Sequence, residues 1–439
     1  MPIAAYAEKT SSSIAGELGK PEYSYYFVLK AFLPVLRRMD RVFELRDVPE
    51  GHRLMDEARK VGLNLLFLCF APPHRVPEPL RPSSVPVFAW EFEDIPSEVW
   101  DDCPQNDWTS RLRETRGAIT HSGFAARAVR RALGAEFPVE AIPAPVGGAL
   151  GSRPASSRHE YAFTLTVDGN VVDSLSTHTG EAEQALTAEL RTTLQIDIPG
   201  AETPAAREPV HEAPQITELS LTGVVYTTIL NPADARKNWG DIVNSFCLAF
   251  HDNPDATLLV KFVHANTRFG VDQFRTLLRR WHGAKCRVVL INGFIPDPAY
   301  RRLALATHYG VNASSGEGQC LPLMEHMSAG IPAVAPDHTG MMDYVNRDNA
   351  FVVESDRAPC GWPQDSRGPY RTFCRRLNKE SLVQQFRASY DLAANDPPSY
   401  AQMAGRARSD LLVYCSPAAV FHKLQRFVGV HGERMFFAP

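Results

Sequence analysis

Ser314 to Pro336 reads SSGEGQCLPLMEHMSAGIPAVAP, and this stretch decides the fold. Tyr309 to Ala313 just before it is a short apolar run suited to a buried strand, and Ala333 to Ala335 near its end is another. Between them Pro322 fits the first turn of a helix over Leu321 to Ala329. Strand, glycine-bearing loop, helix and strand form the repeating unit of an open parallel sheet. In such sheets ligands bind beyond the carboxyl ends of the strands, where loops meet helix N-termini. Ser314 to Leu321 is such a loop, and its glycines, Gly316 and Gly318, predict close backbone approach to a ligand. Glu317 stands just before the helix and Glu325 one turn inside it, roughly 5 Å along the axis at the standard rise. Both carboxylates are expected to face one cleft, where a polyhydroxylated ligand could bridge them.

The same rhythm extends in both directions. Strands are expected over Thr222 to Leu230, Ala256 to Val263, Arg287 to Ile291 and Phe351 to Val353, with helices over Trp239 to His251 and Val271 to Trp281. Further helices run through Ser381 to Ala393, Tyr400 to Leu412 and Pro417 to Phe427. Asn231 to Trp239 (NPADARKNW) joins a strand to a helix and sets Arg236 and Lys237 beside the helix N-terminus. A strand-to-helix junction of this kind suits an anion held by cations and amide donors, and Lys237 is the first choice of anchor, with Arg236 and the strand-end Lys261 as further candidates.

Toward the N-terminus, Tyr25 to Met39 (YYFVLKAFLPVLRRM) has helical spacing and Arg41 to Leu45 (RVFEL) alternates like a strand. Asn64 to Phe70 (NLLFLCF) and Val85 to Trp90 (VPVFAW) are buried-strand runs, and Gly117 to Thr120 leads into a helix over Ala125 to Leu133. Pro143 to Ser157 (PAPVGGALGSRPASS) closes this first domain, residues 1–150. Tyr161 to Leu175 (YAFTLTVDGNVVDSL) predicts two strands around an Asp-Gly turn, within an inserted or linking segment at 151–215. A second Rossmann-like domain is expected over 216–415, and a C-terminal helix over 416–439 that crosses back to the first domain.

Composition sets the outer bounds. A chain of 439 residues favours two or three domains, and 46 Lys plus Arg against 50 Asp plus Glu gives a formal charge of -4, with no general attraction to nucleic acid. The eight cysteines are scattered without a C-x-x-C pair or zinc spacing, which fits reduced thiols in the cytoplasm. Met1 to Ser13 lacks signal-peptide character, and the apolar run Leu63 to Ala71 is far too short for a membrane span, so a cytoplasmic location with room for peripheral membrane contact is expected. No G-x-S-x-G, Walker A or strand-to-helix G-x-G-x-x-G is present.

Ser314 to Pro336 resembles the E-x7-E signature of retaining GT-B glycosyltransferases, especially family 4. The resemblance implies two Rossmann-like domains facing each other across a cleft, with a nucleotide-sugar donor on the C-terminal one. It gives Glu317 and the backbone of Gly318, Gln319, Cys320 and Leu321 to the donor hexose, and Glu325 to the ribose. Asn231 to Trp239 resembles the family's strand, loop and lysine segment, with Tyr226 to Thr228 where Gly-Arg is usual. Leu290 to Pro296 (LINGFIP) resembles the turn against which the base lies, read by Gly293, Phe294 and Ile295. Val85 to Trp100 resembles a W-E-x-x-x-x-P stretch of bacterial surface-polysaccharide enzymes, which makes Glu91 the acceptor-side group; His74 and His121 are alternatives. The implied reaction moves a hexose from a UDP- or GDP-linked donor to a saccharide or lipid-linked acceptor, with no cofactor and no metal. A GT-B phosphorylase, or a lapsed GT-B domain that binds sugars or proteins, are the other readings.

Overall fold

The computed structural model describes residues 1–10, 13–20, 22–147, 150, 161–175 and 215–435. Six short strands build the first sheet: β1 (Ile3–Tyr6), β2 (Val42–Leu45), β3 (Leu66–Cys69), β4 (Ser84–Phe88), β5 (Ala118–Thr120) and β6 (Val139–Ala141). Their order is β2-β1-β3-β4-β5-β6, and every pairing is parallel. Burial on both faces explains the uninterrupted apolar character of β3 and β4. β1 lies inside the sheet although its Ile-Ala-Ala-Tyr carries too little bulk to announce a strand. Helices α1 (Ile14–Glu17), α2 (Ser24–Met39), α3 (Val48–Lys60), α4 (Trp108–Arg113) and α5 (Gly123–Leu133) complete this half.

The second sheet contains β7 (Tyr161–Asp173), β8 (Gln215–Leu221), β9 (Val224–Leu230), β10 (Ala256–Phe262), β11 (Arg287–Phe294), β12 (Tyr309–Val311), β13 (Ala333–Ala335) and β14 (Ala350–Val352). The order is β14-β13-β12-β9-β10-β11-β7-β8. Strands β9 to β14 are parallel and follow the doubly wound Rossmann order, which places the topological switch point between β9 and β12. Helices α6 (Trp239–Ala249), α7 (Val271–Arg280) and α10 (Lys379–Asn395) cover one face through Phe246, Phe274 and Phe386; α8 (Asp297–Ala306) covers the other through Ala299 and Leu303.

The Asp-Gly turn expected inside 161–175 is absent. Tyr161–Asp173 is one strand whose first half pairs with β8 and whose second half pairs with β11, both antiparallel. Gly169 has φ 151° and faces Gly293, and a Cβ on it would overlap the Asn292 carbonyl. The glycine is required by close strand approach, not by a reversal of the chain.

Two elements tie the halves together. A hairpin of β15 (Ser355–Cys360) and β16 (Thr372–Leu377) reaches from the second half onto segment 91–101 of the first. There Trp362 stacks on Trp100 at 5.8 Å and donates its ring N–H to the Asp94 carbonyl, while Arg357 forks onto Glu93 at 2.9 and 2.8 Å. After α9 (Leu321–Ser328) and α11 (Pro397–Cys415), α12 (Pro417–Met435) sinks Val420, Leu424 and Phe427 into the core formed by Val28, Phe32 and Val35 of α2. No helix among the described residues is long and apolar enough to cross a membrane.

Candidate functional site

The loops after β9 and β12 meet at the switch point, and their charged side chains pair there. Asn238 adopts a left-handed conformation that ends the β9 loop and starts α6, and its side chain donates to the Ala313 carbonyl at 2.8 Å. This aims Lys237 at the opposite loop. Lys237 Nζ donates to Glu317 Oε1 at 2.7 Å, and the same oxygen accepts from Ser314 Oγ at 2.6 Å and Asn312 Nδ2 at 2.9 Å. Among the described residues Oε2 accepts no hydrogen bond. Burial pushes the Glu317 carboxyl up, but the Lys237 charge and the three donors outweigh it and bring it down to about 2. Burial likewise works against the Lys237 ammonium, and the Glu317 charge overrides it and raises its pKa.

The backbone of Glu317 is fixed as firmly. Its N–H donates to Thr339 Oγ1 at 3.0 Å and its carbonyl accepts from Gly340 N at 2.8 Å. Cys320, at φ 60°, caps the N-terminus of α9 and accepts from Asn312 at its sulfur, while Leu321 packs into two apolar clusters at once. Glu325 keeps its own company: Tyr300 on α8 donates to its Oε2 at 2.7 Å, and burial first, then the Asp297 charge, raises its carboxyl against that hydrogen bond. No direct bond joins the networks of the two glutamates among the described residues.

Other expected ligands of a donor are engaged within the protein. Arg236 forks onto Asp234 at 3.0 and 2.7 Å and forms an ion pair with Glu91 across the cleft. Lys261 lies buried near the end of β10, donates to the Phe262 carbonyl at 2.6 Å, and is lowered to about 8 by burial; it forms no ion pair among the described residues. The edge of β11 assigned to a nucleobase is paired with β7 through Gly293 and Phe294, and Ile295 packs into the apolar layer under α8. Gln319 accepts from Ala144 N at 3.0 Å, joining the loop to the exit of the first domain.

No family model matches this chain, and no curated protein matches it in sequence. Solved structures do. HepE of Anabaena, in complex with UDP and glucose, matches with a TM-score of 0.53 and 14% identity over 98% of this chain and 100% of that one. Sucrose-phosphate synthase from Thermosynechococcus elongatus gives 0.55 and 11% over 99% of each chain, and a glycosyltransferase from Rickettsia africae 0.52 and 11% over 98% of each. The chain has the GT-B fold.

In a GT-B cleft the two Rossmann-like domains face each other, and here they touch around residues 316–318. A Cβ on Gly318 would overlap that of Ala89, and one on Gly316 would come within 3.1 Å of the Glu91 carbonyl. These glycines therefore admit the opposite domain, in addition to the close backbone approach to a ligand that the sequence predicts. His74 is engaged within the first domain; its Nε2 lies 3.1 Å from Glu22 Oε1 and its ring stacks on Trp108 at 5.3 Å. His121 is wholly buried against Phe32, with burial lowering it to about 4. The sequence reading brought Glu317 and Lys237 together but passed over Asn312, Thr339 and Tyr300. The polar residues that follow β12, Asn312, Ser314 and Ser315, were the available signal for the first of these.

Proposed function

We propose that the chain is a retaining glycosyltransferase that moves a hexose from a UDP- or GDP-linked donor to a saccharide or lipid-linked acceptor in bacterial surface polysaccharide synthesis. The observation that carries this reading is the ionised Glu317, anchored on Oε1 by Lys237, Ser314 and Asn312 at the switch point. The HepE complex with UDP and glucose supports a nucleotide sugar as donor. In the proposed reaction the bond from the anomeric carbon to the diphosphate breaks and one to an acceptor oxygen forms on the same face. The acceptor proton leaves with the diphosphate. Negative charge grows on the leaving group, and Lys237 with the N-terminal amides of α9 answers it, taking the part a metal ion would otherwise play. Glu317 positions the sugar, Glu325 the ribose, and Glu91, held by Arg236, orients the acceptor hydroxyl. The enzyme would work in the cytoplasm, in peripheral contact with the inner membrane face.

A second reading, a lapsed GT-B domain that binds sugars or proteins, draws support from the Arg236–Glu91 pair and the Gly318–Ala89 contact, both of which span the cleft. Incubation with UDP-, GDP- and dTDP-sugars, scored by nucleotide release, separates the two. Transferase activity should fall at least about 100-fold in Glu317→Ala. Equal activity in that variant, or no release from any donor, would sink the first reading.

A further inference from the structure

Thr339 has φ 51°, a left-handed conformation that a β-branched residue adopts only under strain. A glycine would relieve the strain but lack the hydroxyl, and every valence of that hydroxyl is in use. Oγ1 donates its hydrogen to the His338 carbonyl at 2.8 Å and accepts from Glu317 N at 3.0 Å, and it lies 3.2 Å from His338 Nδ1. A hydroxyl has one hydrogen and two lone pairs, so with the hydrogen committed, Nδ1 must be the donor in the remaining contact. The proton of the neutral imidazole is thereby fixed on Nδ1, and Nε2 carries a bare lone pair.

His338 is 5% exposed, and Nε2 has no hydrogen-bond partner. Burial first, then the charge of Arg375, lowers the ring to about 4, so it stays neutral near pH 7 even with the Glu317 carboxylate close enough to oppose them. Arg375 is bound to the same loop, donating its backbone N–H to the Ser315 carbonyl at 2.9 Å. Nε2 of His121 and of His326 are also unpartnered, but His121 packs in the first-domain core and His326 beneath Gly310. His338 alone of these three is hydrogen-bonded to a residue that holds Glu317.

We propose that His338 is a specificity-determining residue of the donor site, its Nε2 accepting a hydrogen bond from one free hydroxyl of the hexose seated on Glu317. The inference rests on the glycosyl-transfer reading. It predicts a sugar whose hydroxyl at that position is unsubstituted, since a buried acceptor left without a donor is penalised. Thr339 sets the tautomer and so acts as a positioning residue.

The test uses UDP-glucose and GDP-mannose with their monodeoxyfluoro analogues at each ring hydroxyl, because fluorine cannot donate. With the wild-type protein, fluorination at one position should lower kcat/KM about 10-fold beyond the others. The excess should vanish in His338→Phe and return in part in His338→Gln, which keeps an acceptor. Titration with UDP and with GDP, each free of sugar, unchanged across the three proteins, shows that the variants are folded. Identical fluoro-sugar profiles in wild type and His338→Phe overturn the contact while glycosyl transfer stands. If the wild type binds neither UDP nor GDP nor either donor series, the glycosyl-transfer reading falls and the contact with it.

Discussion

Lys237 and Glu317 are each buried enough that either alone would be costly, since a charge stripped of its partner inside a protein keeps its desolvation penalty and loses the compensation. Lys237→Met should therefore destabilise the fold by about 3 kcal/mol, measured by urea denaturation. The pH dependence has a definite sign. Glu317 titrates near 2 in the folded state against an ordinary 4.5, so the unfolded chain takes up its proton first as the solution is acidified. The stabilisation is complete above 4.5 and fades as pH falls toward 2. Removing the ammonium raises the folded value, so Lys237→Met should lose less additional stability than wild type between about pH 6 and about pH 3. A parallel loss in both proteins would mean that Lys237 is not what holds the carboxylate down. At this scale the pair was legible, because a glycine-bracketed glutamate before a Pro-started helix and a lysine before a second helix are local patterns. Asn312 and Thr339 were not, because their role depends on a distance of 3 Å or less to a residue that the chain alone does not place beside them.

At the scale of elements, the parallel strands were read correctly wherever an apolar run was buried on both faces, as in β3, β4 and β10. The reading failed at β7, where Asp-Gly is the commonest local cue for a hairpin yet serves here to let two strands approach. Strand β15 failed differently: Ser-Asp-Arg-Ala-Pro-Cys has no apolar stripe, because much of the hairpin's burial comes from the other domain. The account of β7 is testable. In Gly169→Ala the new Cβ meets the Asn292 carbonyl in a backbone conformation that disfavours any side chain, so stability should fall by about 2 kcal/mol or more. Amide exchange should rise first in β7 and along the facing edge of β11, with β9 and β12 still protected. If Gly169 sat in a turn at the sheet margin, the substitution would leave β11 protected.

Across the whole molecule, two Rossmann-like domains followed from the repetition of strand and helix and their GT-B pairing from the resemblance carried by Ser314 to Pro336, but the way the domains meet did not, since contacts between domains leave no periodicity. Here the cleft is spanned by Gly318 against Ala89, by Gln319 against Ala144, by Arg236 with Glu91 and by the β15–β16 hairpin with Trp100. Gly318 offers the cleanest probe, because its conformation needs no glycine and only the opposite domain forbids a side chain. Gly318→Ala must push Ala89 away, and the domains are more free to move than the strands within them. The expected result is a larger radius of gyration by small-angle scattering, with thermal unfolding shifted by only a few degrees. Ala89→Gly in the same chain removes the opposing Cβ and should restore the closed dimensions. Unchanged scattering in Gly318→Ala would mean that the loop yields before the domains do, and failure of Ala89→Gly to rescue an expanded form would assign the expansion to damage within the loop. Rescue would establish that the contact at residue 318 sets the width of the cleft into which the proposed donor must fit.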